Sequence, residues 1–414
     1  MASLALRWIG DVAFPLRQSD GALLPSRARW MLHLSLAATL LVGLWGVSRL
    51  SGLDLALRSP FPALHRVWLP GIGASIYASA WLGFGLWTAM RRREDVSERF
   101  EMDAAWSRVI ADLRTLGISP AHAPGYLVLG SPSADLDAWL AELGASKAVT
   151  RDGSPIEVYA DIGTFFLVAP EIERTPGQLH RLCELVSNER EGGLPLQGVI
   201  LTAPFAALQS DARFDATARG FQAALGGIRA ATGQEVPVYV AITGLSSLPG
   251  APENCRSWFQ LFPPSPDLDP AEIRSMYEEG IDWLCTGQIA QEARSGFGSD
   301  VAENIRRYRW LSAVETARPK LLKLLIEATQ DGTGEPGLVA GCILLPDKNA
   351  VTPAEEMTRL WRGLDENQHA AAWTAERLAT HAEGVRKSRV SLAIGVASAL
   401  FTLAALGTLL LLRQ

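Results

Sequence analysis

The sequence predicts an α/β domain with a mixed or parallel sheet, followed by a helical subdomain, in a chain that also carries three transmembrane helices. The α/β part is predicted by short apolar runs that alternate with helix-like stretches over residues 94–260. The membrane part is predicted by composition. Of the 414 residues, 48% are hydrophobic and 20% are charged, and the mean hydropathy is +0.12. These values are high for a purely soluble protein, so the apolar residues are expected to be concentrated in membrane segments.

Three segments without Asp, Glu, Lys or Arg have close to the ~20 residues needed to cross a bilayer. They are residues 30–48, of which 30–47 read "WMLHLSLAATLLVGLWGV", residues 69–90 and residues 390–412. Arginines precede the first segment and follow the second, which predicts a cytoplasmic tail over 1–29 and a transmembrane hairpin over 30–90. The same rule places residues 94–389 in the cytoplasm and the C-terminus on the far side.

Strand-like and helix-like stretches alternate through the first part of the central region. Strands are expected at 126–129, 157–159, 165–169, 198–203 and 236–243, and helices at 175–190 and 205–231. After the proline-rich break "LFPPSPDLDPAE", the pattern over 261–389 is mostly helical, with one further apolar run at 337–346. This order of strands and helices predicts an α/β domain over 94–260, of the degenerate nucleotide-binding type described below, and a helical subdomain over 261–389.

Charge and ligand-type residues exclude several functions. The net charge of −6 argues against nucleic acid as a partner. The four cysteines form no CxxC pair and the histidines no HExxH motif, so neither a metal site nor a cofactor is expected.

The stretch "YLVLGSPSADLDAWLAEL" begins like a phosphate-binding loop, with an apolar run, a glycine and then an amphipathic helix. A working loop reads GxxxxGK[ST], in which the lysine contacts phosphate and the hydroxyl binds magnesium. Counted from Gly130, those last three places hold Asp135, Leu136 and Asp137. Two carboxylates near phosphates would repel them. The loop is therefore predicted to keep its turn without its chemistry.

Two later strand ends depart from a nucleotide site in the same way. The strand that should end in a magnesium-binding aspartate ends in Ala169. The strand that should end in an [NT]KxD-like sequence offers Gly244 for the lysine and Ser246 for the aspartate. Three losses in the expected order predict a fold retained without catalysis. The chain is therefore not expected to be an enzyme.

Several quoted segments resemble the IcmF/TssM family, the large inner-membrane component of type VI secretion systems. "LPLQGVILTAPFAALQS" is similar to family sequences of the type "PINGVILTVSVADLL", and "VPVYVAITGLSSLPG" to "FPVYVLVTKCDLLPG". "PGYLVLGSP" and "GLVAGCILLP" resemble the strand before the family's phosphate loop and a late strand. The chain looks like a short, degenerate member that lacks the nucleotide motifs and the periplasmic region.

The resemblance implies a non-catalytic scaffold of a type VI secretion complex in the bacterial inner membrane. The implied partners are a DotU/TssL-like protein, baseplate components, the lipid bilayer and a full-length IcmF/TssM-like protein. Two alternatives stay open. One is a membrane-anchored NTPase with non-standard motifs, and the other is a regulatory paralogue that competes with a full-length family member.

Overall fold

The computed structural model divides the chain into two compact units, which are Ser97–Thr374 and Met1–Val96 together with Ala375–Gln414. The structure describes residues 96–374 except for short gaps, and a few helical residues outside this range. The gaps are 131–133, 148–153, 162, 171–175, 191–192, 252–256, 264–268, 290–297, 299, 328, 330–337 and 346–351. The described outer residues are 33–34, 37–39, 41–46, 69–79, 82–83, 375–380 and 382.

The prediction of three transmembrane helices is wrong for the helices that the structure describes. Within these residues, no helix combines the length and the apolar composition that crossing a membrane requires. Such a crossing takes about 20 consecutive, mostly apolar residues in one helix. The third predicted span, 390–412, lies outside the described residues.

The larger unit is an α/β structure whose elements agree in type with most of the predicted runs. The helices are α1 (Val96–Thr115), α2 (Ala134–Glu142), α3 (Pro176–Glu189), α4 (Phe205–Gln209), α5 (Asp211–Thr232), α6 (Pro270–Asp282), α7 (Val301–Glu327) and α8 (Ala354–Asn367). A π-helical segment, Trp283–Ile289, continues α6, and a 3-10 turn, Gln368–Ala370, continues α8. The strands are β1 (Gly125–Gly130), β2 (Ser146–Lys147), β3 (Glu157–Ala160), β4 (Phe165–Pro170), β5 (Gly198–Pro204), β6 (Gln234–Glu235), β7 (Val238–Thr243), β8 (Trp258–Leu261), β9 (Val339–Leu344) and β10 (Ala372–Trp373).

Eight of these strands form one mixed sheet in the order β2-β3-β4-β1-β5-β7-β9-β8. The strands from β4 to β9 are parallel, while β2, β3 and β8 run antiparallel to their neighbours. All six residues of β1 are buried, as expected for a strand covered on both faces. The remaining strands, β6 and β10, form a separate two-stranded ribbon.

Side chains alternate between two apolar layers, one on each face of the sheet. Leu127 and Leu129 of β1 belong to the first layer, to which α1, α3, α5 and α7 contribute buried residues. Tyr126 and Val128 belong to the second, which α2 and α8 cover. The helices on the two faces make this a three-layer structure.

The residues after 261 contribute a strand to the large sheet. The apolar run at Val339–Leu344 enters the large sheet as β9, where it pairs parallel to β7 and antiparallel to β8. Its six residues are all buried, so its hydrophobic side chains need the sheet neighbours that the earlier part of the chain supplies. Both halves therefore share one compact unit, Ser97–Thr374.

Candidate functional site

The candidate site lies at the carboxyl edge of the sheet, beyond the end of β1. From β1 the chain passes through α2 on one face and returns in β4, and from β4 it crosses the opposite face through α3 to reach β5 on the other side of β1. The strand order thus reverses between β1 and β5. In open α/β sheets, ligands bind outside the carboxyl ends of strands at such a switch point.

Gly130, at the end of β1, has a backbone conformation that favours glycine. Its φ is +113°, a region that side chains rarely adopt. A Cβ atom there would lie 2.2 Å from the carbonyl oxygen of Thr202 on β5. The Thr202 hydroxyl in turn donates to the Leu129 carbonyl at 3.0 Å. The strand ends are therefore packed so closely that only glycine fits at position 130.

Asp135 and Gly244, which stand at two different degenerate motifs, are bonded to each other. The backbone N–H of Gly244 donates to Asp135 Oδ2 at 2.8 Å. Asp135 is half-buried in the first turn of α2, and Gly244 directly follows β7 with a φ of +80°. A side-chain carboxylate thus ties the start of α2 to the loop after β7.

Leu136 and Asp137, the next two positions of the degenerate loop, have separate structural roles. Leu136 is 1% exposed and belongs to the apolar layer beneath α2. Asp137 is exposed and accepts a hydrogen bond from the Tyr159 hydroxyl on β3 at 2.7 Å. Burial, followed by this hydrogen bond, raises the pKa of Tyr159, which keeps its hydroxyl protonated as the donor. The carboxylates at 135 and 137 therefore bind partners on opposite sides of β1.

The remaining candidate residues, Ala169 and Ser246, offer little to a phosphate or a metal ion. Ala169 is fully buried in β4 opposite Leu129, and its methyl group cannot coordinate a cation. Ser246 is half-buried in the turn that follows Gly244. Across the residues that the structure describes, no three His, Cys, Asp or Glu side chains form a metal-binding group.

The loop after β7 is also held against α7, a contact that the sequence motifs did not indicate. The Trp310 indole N–H donates to the Leu245 carbonyl at 3.2 Å. A Cβ at Gly250 would lie 2.0 Å from the Arg306 carbonyl, so the two backbones touch. The edge of the sheet is thus bound on one side by α2 and on the other by α7. Nothing in the local sequence marks Trp310 as a partner of this loop.

The Asp135 bond leads to a prediction about stability. Replacing Asp135 with alanine is expected to lower the free energy of unfolding by about 1–3 kcal/mol, because the Gly244 N–H loses a charged acceptor in a half-buried place. Asp135→Asn keeps an oxygen acceptor and is expected to cost less than about 1 kcal/mol. Denaturant midpoints of the two variants measure the difference. A midpoint for Asp135→Ala equal to that of the wild type would show that the carboxylate does not hold the loop.

One part of the chain matches a known family. Residues 173–259 match the family model described as the IcmF-related N-terminal domain. The matched range runs from the start of α3 through β5, α5 and β7 to the first residues of β8. The degenerate loop at 130–137 lies before it. No curated protein matches the chain.

Proposed function

We propose that the chain is a non-catalytic scaffold of a type VI secretion complex, from the premise that residues 173–259 match the model of the IcmF-related N-terminal domain family, which supports membership in the IcmF/TssM family. The match itself suggests a role associated with type VI secretion. The scaffold role, the absence of catalysis and the membership of a membrane complex are our proposals.

The observation that carries the non-catalytic role is the environment of the degenerate loop. Where a phosphate-binding lysine is needed, Leu136 is buried in the core, so a charged side chain there would have to leave water. Asp135 adds negative charge near the strand ends and is already bound to the Gly244 N–H. A nucleotide would therefore meet a carboxylate in place of a cation. These contacts favour an architectural role for the loop.

The proposed partners follow from the family resemblance. They are a DotU/TssL-like subunit, baseplate components and a full-length IcmF/TssM-like protein, on the cytoplasmic side of the bacterial inner membrane. Co-purification of each candidate with the full-length chain, in wild type and in a strain that lacks the chain, tests them one at a time. If none of them co-purifies and secretion persists without the chain, the scaffold proposal fails.

Nucleotide binding provides the direct test of the non-catalytic role. We expect the melting temperature of the full-length chain to be unchanged by millimolar ATP or GTP with magnesium, because a ligand stabilises only a state that it binds. A ligand at 100 times its Kd would add about 2.7 kcal/mol to stability and would be readily seen. A dose-dependent rise with either nucleotide would support an NTPase with non-standard motifs.

A further inference from the structure

The junction between α6 and the π-helical segment presents a tryptophan to solvent. Trp283, the first residue of the π segment, is 58% exposed. Its neighbours Leu284 and Cys285 are buried in the first apolar layer. A π turn occurs frequently at functional sites, where it changes the direction in which side chains project. The local geometry therefore turns a large aromatic side chain outwards while the next residues face the core.

Gly287 holds the Trp283 ring in place. A Cβ at Gly287 would lie 2.7 Å from Cε3 and 3.0 Å from Cδ2 of that ring. The indole thus lies directly on the backbone of the next turn. The contact with the Gly287 backbone orders the ring before any partner binds. Binding through the exposed part of the ring therefore loses less side-chain entropy than binding through a mobile tryptophan. Tryptophan is also enriched among the residues that dominate interface energies.

A cavity of about 410 Å³ lies between α6 and α7. Its apolar lining comes from Ile281 on α6 and from Pro319 and Leu322 on α7. Trp283 is not one of the lining residues but directly follows Asp282, which is, and so stands beside the cavity at the end of α6. We call this cavity together with Trp283 the Trp283 groove. It combines an apolar lining with an exposed aromatic anchor.

The rim of the Trp283 groove is acidic. Glu278, Glu279 and Asp282 line it, against one cation, Arg318, whose guanidinium contacts Asp282. Glu278 and Glu279 lie four and three residues before Asp282, respectively, so all three carboxylates lie along the same part of α6. The excess of negative charge favours a positively charged partner, since complementary potentials select partners and speed their encounter.

We propose that the Trp283 groove binds a positively charged amphipathic helix of a partner protein. The apolar side chains of that helix pack on Trp283 and into the cavity, and its Lys or Arg side chains face Glu278 and Glu279. This is the recognition mode in which a helix places its apolar face in a groove. The inference rests on this surface alone and does not depend on the secretion role.

The first test uses a short synthetic helical peptide of leucine and lysine, with a matched peptide of leucine and glutamate. The full-length chain is expected to bind the lysine peptide in fluorescence anisotropy and not the glutamate peptide. The double variant Glu278→Lys and Glu279→Lys is expected to weaken binding about tenfold, since it turns two attractions into repulsions. Trp283→Ala and Gly287→Ala are expected to weaken it as well, the second by displacing the ring.

Matched controls separate the groove from the general charge of the chain. Asp215→Lys with Glu366→Lys changes the net charge equally at exposed positions elsewhere, and Leu116→Ala removes an exposed apolar side chain at another site. Both controls should bind the lysine peptide like the wild type. Equal weakening by the control charge reversal, or failure of the wild type to bind, would overturn the proposal.

A second test identifies the natural partner. A photo-crosslinking amino acid replaces Thr286, an exposed residue in the turn after Trp283, in the full-length chain within its own cells. We expect a protein adduct whose crosslinked peptide carries net positive charge beside apolar residues. The adduct should disappear when Glu278 and Glu279 are changed to lysine. A neutral or acidic peptide, a lipid adduct or no adduct would contradict the proposal.

Discussion

Replacing Trp139 with alanine is expected to lower the free energy of unfolding by about 3–5 kcal/mol, the cost of truncating a large aromatic side chain in a packed core. Trp139 is 0% exposed and lies in the apolar layer between α2 and the sheet, with Leu136 and Leu140 as neighbours on the same helix. The loss should appear as a lower denaturant midpoint and a lower protein level in cells, because marginally stable proteins are removed by proteolysis.

Two control variants test whether the loss of stability comes from the buried position of Trp139. Trp283→Ala is the same substitution at an exposed place and is expected to change stability by about 0.5 kcal/mol or less. Trp139→Phe keeps an aromatic ring and removes an indole N–H that has no hydrogen-bond partner among the described residues. It should cost much less than alanine. If Trp139→Ala and Trp283→Ala shift the midpoint equally, α2 does not pack on the sheet as described.

Replacing Arg190 with alanine is expected to cost more than about 3 kcal/mol, because several buried acceptors lose a charged donor at once. Arg190 follows α3, is 5% exposed and donates to the Pro120 carbonyl at 2.8 Å and the Leu194 carbonyl at 3.1 Å. It also donates to the Gln197 side-chain oxygen at 2.6 Å and to the Ala123 carbonyl. Burial lowers the pKa of Arg190 to about 10. The hydrogen bonds compensate the charged guanidinium for its loss of contact with water. They also hold the segment before β1 in place.

Arg190→Lys should fall between alanine and the wild type, since an ammonium is a single point donor and cannot reproduce the planar fork of a guanidinium. Arg114→Ala is the control, because the Arg114 side chain is 69% exposed and lies 3.7 Å from Glu189. An exposed pair of this kind contributes about 0–1 kcal/mol. Denaturant midpoints of the three variants test the order. A midpoint for Arg190→Ala near that of Arg114→Ala would mean that the buried bonds add nothing.

The local pattern of the sequence predicts most of the elements in the larger unit. The short apolar runs correspond to β1, β3, β4, β5 and β7, since a strand buried on both faces has to be apolar along its length. The apolar segments predicted transmembrane helices, but among the described residues no helix has the length and apolar composition that crossing a membrane requires.

What the sequence by itself determined is the glycine at the end of β1, the alternation of strands and helices, and the loss of a lysine and a magnesium-binding hydroxyl from the degenerate loop. Each is a property of neighbouring residues. Only the tertiary structure decided what the substituted side chains do. Asp135 meets Gly244 across 109 residues and Asp137 meets Tyr159 across 22. These groups meet because of the order of the strands in the sheet. Hydrophobic periodicity can be read from neighbouring residues, whereas these hydrogen-bond partners follow only from the folded arrangement of the chain.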